Sequence, residues 1–322
     1  MKLDINHILR ETPLIIVDIG ASGGVDPRWS EFTSSYKGIL FEPDPREYDI
    51  LKKNSNSNSN LIVLNAALSD SNKTVNFHLC KKQMVSSVYE PNFDFLNKFP
   101  DAERFEVEKI IEIDTDTLDN QLSKIDIAKI DFIKLDTQGY ELPILKGAQD
   151  TLLNTIGLTI EIEFAPMYKD QPLFDEVDRF VRENGFDLID LQRHYWERKG
   201  SVNTGNRKGQ LVYADALYFK SPERVLMIQN VSQEVIIRAI CIYLAYGYLD
   251  LAQVLLSKAK SNGLLEEETY SDLTNILMKF ETKDRIPYFK GRTRLKVLFE
   301  KLAKRLDVGH IYSGYDKSIG NP

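Results

Sequence analysis

LIIVDIGASGG (residues 14–24) and GILFEPDP (residues 38–45) decide how this chain is read. The first is an apolar run of strand length that carries Asp18 near its end and passes directly into a glycine-rich turn. Hydrophobicity that is continuous rather than alternating marks a strand covered on both faces, as in a parallel sheet. Gly20, Ser22, Gly23 and Gly24 let the main chain approach a ligand where a Cβ would collide. A helix starting just beyond would offer unpaired amide N–H groups. Ser22 stands where the dinucleotide fingerprint G-x-G-x-x-G has its second glycine, so the turn suits a cofactor with no pyrophosphate to cradle. Asp18 would repel a phosphate and attract the ammonium of an amino-acid tail. In the second stretch Glu42 lies 22 residues beyond Gly20. Pro43 and Pro45 hold it at a strand end, where a carboxylate can accept both ribose hydroxyls. The two stretches together indicate an adenosine-type ligand at the point where the strand order of the sheet reverses.

The same pattern recurs along the chain. Residues 61–64, 132–135 and 157–162 are further apolar runs rich in Ile, Leu and Val. Amphipathic segments at 44–53, 117–124, 140–153 and 174–183 have helical spacing. Strand–helix alternation of this kind reads as an α/β doubly wound fold. Residues 187–191 and 211–218 form a late pair with no convincing helix between them, which fits an antiparallel hairpin closing one sheet edge. NSNSNSN at 54–60 is a polar turn that adds nothing to a core. Residues 81–107 show no period, and an irregular segment of that length is expected to be a functional lid or a mobile loop. Past Ser221 the strand signals stop. Residues 231–244, 249–260, 266–279 and 293–306 carry helical apolar spacing, with Gly247, Gly263 and Gly291 at the breaks. The chain therefore divides into residues 1–220 and a helical region, 221–322.

With 322 residues, 43% of them hydrophobic and 28% charged, collagen-like, disulfide-scaffold and disordered classes are excluded. A net charge of -7 argues against a general nucleic-acid binder. Cys80 and Cys241 lie far apart and fit buried thiols in a reducing compartment. The polar opening MKLDINHILRETP lacks the apolar run of a signal peptide. No stretch reaches the roughly 18 uninterrupted apolar residues of a membrane span, so a cytoplasmic protein is expected. His7, His78 and His310 have no metal-ligand spacing, and nothing demands a metal. Residues 285–305 hold eight basic residues against one acid, Glu300, with Leu295, Leu298, Phe299 and Leu302 at helical spacing. A basic amphipathic helix over 285–306 can lie on the inner face of an anionic membrane. The favoured reading lays its apolar face on the preceding helices instead.

VDIGASGG with FEPDP is similar to the first two motifs of S-adenosylmethionine-dependent methyltransferases of the Rossmann-like class. DFIKLDTQGYELPILKGA (131–148) resembles the central signature of the FkbM family. TIEIEFAPMYKDQPLFDEVDRFVRENGFDLIDL (159–191) resembles that family's next block, and GQLVYADALYFK (209–220) its closing strand. The resemblance spans residues 12–220. It implies the seven-stranded, mostly parallel class I methyltransferase sheet with helices on both faces. It further implies S-adenosyl-L-methionine as cofactor, and O-methylation of sugars or polyketide-type products. On this resemblance Asp18, Gly20 and Ser22, with Gly24 in the same turn, would surround the methionine end of the cofactor. Glu42 would hold the ribose, and Ala66 to Ser69, including Ala67, would border the adenine. Asp136 and Gln138 would face the transferred methyl. Glu161 matches the family's strand-five acid, and Tyr168 its following aromatic.

Methyl transfer to an alcohol needs the acceptor aligned with the S–CH3 bond and a base for the departing hydroxyl proton. Asp136, Glu161, Glu163 and His194 are the candidates. Asp136 follows an apolar strand at its carboxyl end, where ligands bind in such sheets. Glu161 and Glu163 lie two apart and share a strand face, where unpaired carboxylates are costly. Lys134 on the neighbouring strand is a structural partner for one of them. His194, in QRHYWERKG just beyond the sixth strand, can act as a base near neutral pH, although a polar surface loop is the favoured reading. Arg193, Arg198 and Lys199 beside it suggest an anionic or polyhydroxyl acceptor. The acceptor pocket is expected from residues 81–107, Tyr168 and the His194 loop. The favoured function is an O-methyltransferase acting on a sugar or glycoconjugate. A nicotinamide-dependent oxidoreductase at the same switch point is the alternative, against which Ser22 speaks. A second alternative is a non-catalytic adaptor that docks a glycan-assembly partner through residues 221–322. Whether the chain forms a homo-oligomer is left open by the sequence.

Overall fold

The computed structural model describes residues 9, 12–21, 24, 26–32, 35–55, 58–200, 209–281, 290–306, 313–316 and 319. Its strands are β1 (Leu14–Ile19), β2 (Tyr36–Phe41), β3 (Leu61–Leu64), β4 (Ala67–Leu68), β5 (Lys73–Cys80) and β6 (Val107–Asp116). They continue as β7 (Phe132–Leu135), β8 (Gly157–Glu163), β9 (Asp187–Trp196), β10 (Gln210–Phe219) and β11 (Ser313–Tyr315). Eight of them form one sheet in the order β11-β9-β10-β8-β7-β1-β2-β3, and β4, β6 and β5 form a small second sheet. From β3 to β8 neighbouring strands run parallel. β10 inserts antiparallel between β8 and β9, so the hairpin expected at the sheet edge is present. Every residue of β8 is buried, which is why its sequence shows no alternation of polar and apolar positions.

The two faces of β1 and β7 sort their side chains by parity. Val17, Ile19, Ile133 and Leu135 meet the helices Leu118–Lys124, Glu141–Lys146 and Phe174–Glu183. Ile16 and Phe132, with Leu217 and Phe219 of β10, meet the helices Gln233–Ala245 and Leu249–Ser261. The region after residue 220 thus lies directly on the sheet. Trp29, Phe132 and Tyr246 form an aromatic nucleus there, with centroids 5.1 Å apart for Trp29–Phe132 and 5.3 Å for Phe132–Tyr246. Arg238 Nε donates to Asp131 Oδ1 at 2.9 Å, and Asp131 Oδ2 accepts the Ile15 N–H at 2.8 Å. One buried carboxylate therefore ties the helix to the start of β1 and β7.

Several elements differ from the sequence reading. The glycine turn leads to a 3-10 helix, Pro27–Phe32, and not to the start of an α-helix. The segment 140–153 breaks into Glu141–Lys146 and Gln149–Asn154, because at Gly147 the chain runs against the backbone of Ser69. Residues 81–107 are not a loose loop. Short turns Gln83–Val85, Phe93–Leu96 and Ala102–Phe105 anchor Phe95, Phe99 and Phe105 in a core shared with Tyr168 and Trp196. Turns this short leave no period to read. β9 runs on through His194 to Trp196, since β10 supplies a longer partner edge than its apolar residues announced. A strand also follows residue 221: β11 pairs with β9, and Asp316 accepts from Arg193 Nε at 2.8 Å. Finally, every described residue of 290–299 is exposed, so this stretch of the helix Arg292–Leu306 does not lie on the preceding helices.

Because the C-terminal helices share the core of the sheet, Ile240→Ala in Gln233–Ala245 (Ile240 is 0% exposed) should destabilise the whole molecule. A loss of about 2–5 kcal/mol is expected, in one cooperative transition followed by calorimetry. Two separate transitions would show that the helices fold independently.

Candidate active site

The carboxyl ends of β1, β2, β7 and β8 open into a cavity of about 490 Å³. Its floor is a backbone junction. Gly20 has φ +76°, and a Cβ there would sit 1.9 Å from the Asp136 carbonyl oxygen. Only glycine permits both the left-handed conformation and that approach. The Asp136 N–H donates to the Ile19 carbonyl at 3.0 Å, and the Gly20 N–H to the Phe41 carbonyl at 3.0 Å. Three strand ends are thereby held in register. Glu42 enters the cavity wall from the end of β2, accepting the Asp44 N–H on Oε1 at 2.9 Å. Burial pushes its carboxyl up from 4.5 to about 7, against the opposing pull of the Asp44 hydrogen bond. Ala66, Ala67, Leu68 and Ile144 give the same end an apolar wall.

Asp136, Gln138 and Glu161 face the cavity together. Gln138 adopts a left-handed φ of 57° in the turn after β7. Its Nε2 donates to Glu161 Oε1 at 2.6 Å and to Asp136 Oδ1 at 3.2 Å. The amide orientation follows from Tyr168, whose hydroxyl donates to Gln138 Oε1 at 2.9 Å and also lies 3.0 Å from the Val85 carbonyl. Glu141 clasps the turn from below, accepting the Thr137 N–H and Oγ1 at 2.7 and 2.9 Å. Burial, and then the charges of Asp136 and Glu163, drive the Glu161 carboxyl well above its ordinary range. Glu163 is 1% exposed, and neither of its oxygens has a hydrogen-bond partner among the described residues. Burial raises its carboxyl well above the ordinary range as well. Lys134 does not pair with either glutamate. Its Nζ lies 3.4 Å from Asp18 Oδ1 and 3.6 Å from Asp136 Oδ2. Burial pulls the ammonium down, but these two carboxylates outweigh it and keep it charged.

The other expected site residues lie elsewhere. Asp18 faces a second hollow of about 170 Å³, beside Arg28 and Asp215. Burial pushes it up to about 6. Gly24 is not part of the cavity wall, and Ser22 lies outside the described residues. Ser69 is fully buried against the Tyr140 hydroxyl at 2.8 Å. Tyr168 is 0% exposed, below Gln138 rather than in the cavity. His194 stacks on Tyr213 with centroids 4.3 Å apart, and its Nε2 lies 3.3 Å from Asp215 Oδ2, so it is a strand residue and not a base on a loop. Arg193 serves Asp316, and Arg198 donates to Gln210 at 3.0 Å, which removes both from the acceptor side. Residues unanticipated from the sequence complete the wall, notably Asp44, Arg104, Trp196 and Tyr213. Strand alternation puts Tyr213 on the face of Glu161 and could have signalled it; nothing local marks Arg104.

Residues 18–188, more than half of the chain, match the Methyltransferase FkbM domain. The chain belongs to the FkbM methyltransferase family. S-adenosylmethionine is therefore its methyl donor, and the nicotinamide-dependent alternative falls away. This FkbM methyltransferase is 26% identical over 193 residues to the 2-O-methyltransferase NoeI of Sinorhizobium fredii (strain NBRC 101917 / NGR234), covering 54% of this chain and 78% of that one. Among solved structures it is similar to a precorrin-6y C5,15-methyltransferase from Geobacter metallireducens GS-15. That likeness has 12% identity and a TM-score of 0.32, over 67% of this chain and 88% of that one. It is also similar to magnesium protoporphyrin IX methyltransferase from Synechocystis PCC 6803, at 8% identity and a TM-score of 0.32, over 67% and 76% of the two chains.

The residues present fit the donor. The cavity is within the range of about 300–1,000 Å³ that small-molecule sites occupy. Glu42 offers a carboxylate to the ribose, and Ala66, Ala67, Leu68 and Ile144 offer a planar base an apolar slot. Glu42→Gln should weaken S-adenosylhomocysteine binding about tenfold in calorimetric titration, the scale of one charge-assisted hydrogen bond. The same variant tests the linkage to stability. Glu42 binds its proton more tightly folded than unfolded, so its contribution is full below about 4.5 and is lost as the pH rises through about 7. Thermal stability of the variant should fall less than that of the wild type across this window.

Proposed function

We propose that this FkbM methyltransferase transfers a methyl group from S-adenosylmethionine to a hydroxyl of a sugar or glycoconjugate. The observation that carries the reading is the pair of carboxylates, Asp136 and Glu161, held on the cavity wall by one Gln138 amide. Bound S-adenosylmethionine supplies an electrophilic methyl on a cationic sulfur. Asp136 accepts a hydrogen bond from a neighbouring hydroxyl of the acceptor, which orients the reacting oxygen toward that methyl. Glu161 takes the hydroxyl proton as the new C–O bond forms. Its raised basicity favours the transfer once it is ionised, and a general base of this kind contributes typically 10²–10⁴-fold. Tyr168 is a positioning residue: it fixes which end of the Gln138 amide meets the carboxylates. A polyhydroxyl ring suits this wall, since its hydroxyls find carboxylates while Trp196 and Tyr213 meet its apolar face. Transfer to oxygen is further supported by the name of the relative NoeI, a 2-O-methyltransferase.

Glycan extracts incubated with isotopically labelled donor should acquire the label on an oligosaccharide, read by mass spectrometry. Label confined to protein or nucleic acid would overturn the reading. Burial raises the Glu161 carboxyl, so kcat should be lost as the pH falls through that raised value. Glu161→Gln should lower kcat by roughly 10²-fold or more and abolish this acid limb. S-adenosylhomocysteine affinity should change little.

We further propose that the helix Arg292–Leu306 meets an anionic membrane surface. Support comes from its exposed Leu298 and Phe299, at 53% and 61%, alongside Arg292, Arg294 and Lys296. Among the described residues no helix is long and apolar enough to cross a membrane, so the contact is peripheral. The protein should sediment with vesicles containing phosphatidylglycerol and not with phosphatidylcholine alone, and the double change Leu298→Glu with Phe299→Glu should abolish sedimentation. Equal sedimentation with both vesicle types would reject the contact.

A further inference from the structure

The cavity has two chemically different walls. On one side stand Glu42, Asp44, Asp136 and Glu161, from the segments after β2 and β7 and from β8. On the other, the segment 81–107 contributes two cations, Lys82 and Arg104. The Lys82 N–H donates to the Arg104 carbonyl at 3.1 Å, so the two come from adjoining backbone. Arg104 is held by aromatic faces. Its guanidinium carbon lies 5.0 Å from the ring centroids of both Phe105 and Trp196. Its Nε is buried and has no hydrogen-bond partner among the described residues. Its contact with a carboxylate is a long one, Nη1 to Asp101 Oδ2 at 3.4 Å, and that aspartate side chain is 59% exposed. The Arg104 side chain is 31% exposed and lines the cavity, so the outer N–H groups of the stacked guanidinium can meet an acceptor there.

Arg104, Tyr213 and Glu161 line the same cavity. An acceptor that fills it can meet Glu161 with one hydroxyl and Arg104 with another group.

We infer that the acceptor is an anionic sugar, bearing a carboxylate or a phosphate that Arg104 binds while a hydroxyl across the ring meets Glu161. This rests on the sugar reading above. Glycosyl carboxylates and phosphates share the planar or near-planar pair of oxygens that a guanidinium fork accepts. A neutral sugar would displace water from the guanidinium without offering it a charged acceptor, a cost that discriminates against it.

The test is calorimetric titration of the full chain saturated with S-adenosylhomocysteine, using glucuronic acid, glucose 6-phosphate and glucose as probes. At least one of the anionic probes should bind about tenfold more tightly than glucose, and comparison of the two tells carboxylate from phosphate. Arg104→Met, which keeps an apolar stem between the rings, should erase the advantage, and Arg104→Lys should restore part of it. S-adenosylhomocysteine affinity in both variants reports that the fold is intact. Glucose binding as tightly as both anions, or an advantage that survives Arg104→Met, would overturn the anionic acceptor and leave the sugar reading standing. Failure of all three sugars to bind a chain that still takes up S-adenosylhomocysteine would overturn both.

Discussion

The approach of Gly20 to the carbonyl of Asp136 is the constraint on which the site depends. A Cβ at Gly20 would lie 1.9 Å from that oxygen, so no other residue lets β1 and β7 end so close together. Their closeness places the turn after β7 beside the turn after β1. The carboxylates of the β7 and β8 ends then share one cavity with Glu42, just after β2. A displacement of an ångström at this junction would misalign every group that methyl transfer requires to be in line.

Around this junction the molecule concentrates negative charge in a low-dielectric setting. Asp18, Asp136, Glu141, Glu161 and Glu163 lie within one neighbourhood, and Lys134 is the cation between two of them. Glu141 is offset by the backbone N–H and hydroxyl donors of its turn. Glu161 has the Gln138 amide, while burial raises the Glu163 carboxyl well above its ordinary range. The arrangement weakens stability as the pH rises, because folding favours the protonated forms. In return it leaves Glu161 with a carboxyl raised well above its ordinary range, the sort of perturbed group that marks reactive sites.

The opposite face of the sheet shows why the last hundred residues matter to this site. Tyr246 stacks on Phe132, the first residue of β7, and its hydroxyl is 3.0 Å from Thr159 Oγ1 on β8. The strands that present Asp136 and Glu161 at one end are thus clamped at the other by the helix Gln233–Ala245 and the turn after it. The second hollow, with Asp18 and Lys134, lies between that clamp and the cavity.

Much of this was legible in the chain itself. The apolar runs, the Gly20 turn, Glu42 before Pro43 and the DTQG turn at 136–139 are local patterns, because strand burial and turn conformation act over a few residues. They determined the sheet, its helical cover and the positions of Gly20, Glu42, Ala67, Asp136, Gln138 and Glu161 on the cavity. Tertiary structure alone decided which of the remaining polar residues face that cavity. Asp18 and Glu161 lie on the same face of the sheet, yet Asp18 sits level with Lys134 and Thr159 over the second hollow, while Glu161 lies further toward the strand ends and reaches the site. His194 is held in a ladder by a partner strand more than a dozen residues away, and β11 reaches that ladder from the far end of the chain. Arg104 becomes a cavity residue only because Phe105 and Trp196, ninety residues apart in sequence, close around it. Contacts of that range are set by how whole elements stack, and no local pattern of residues encodes them.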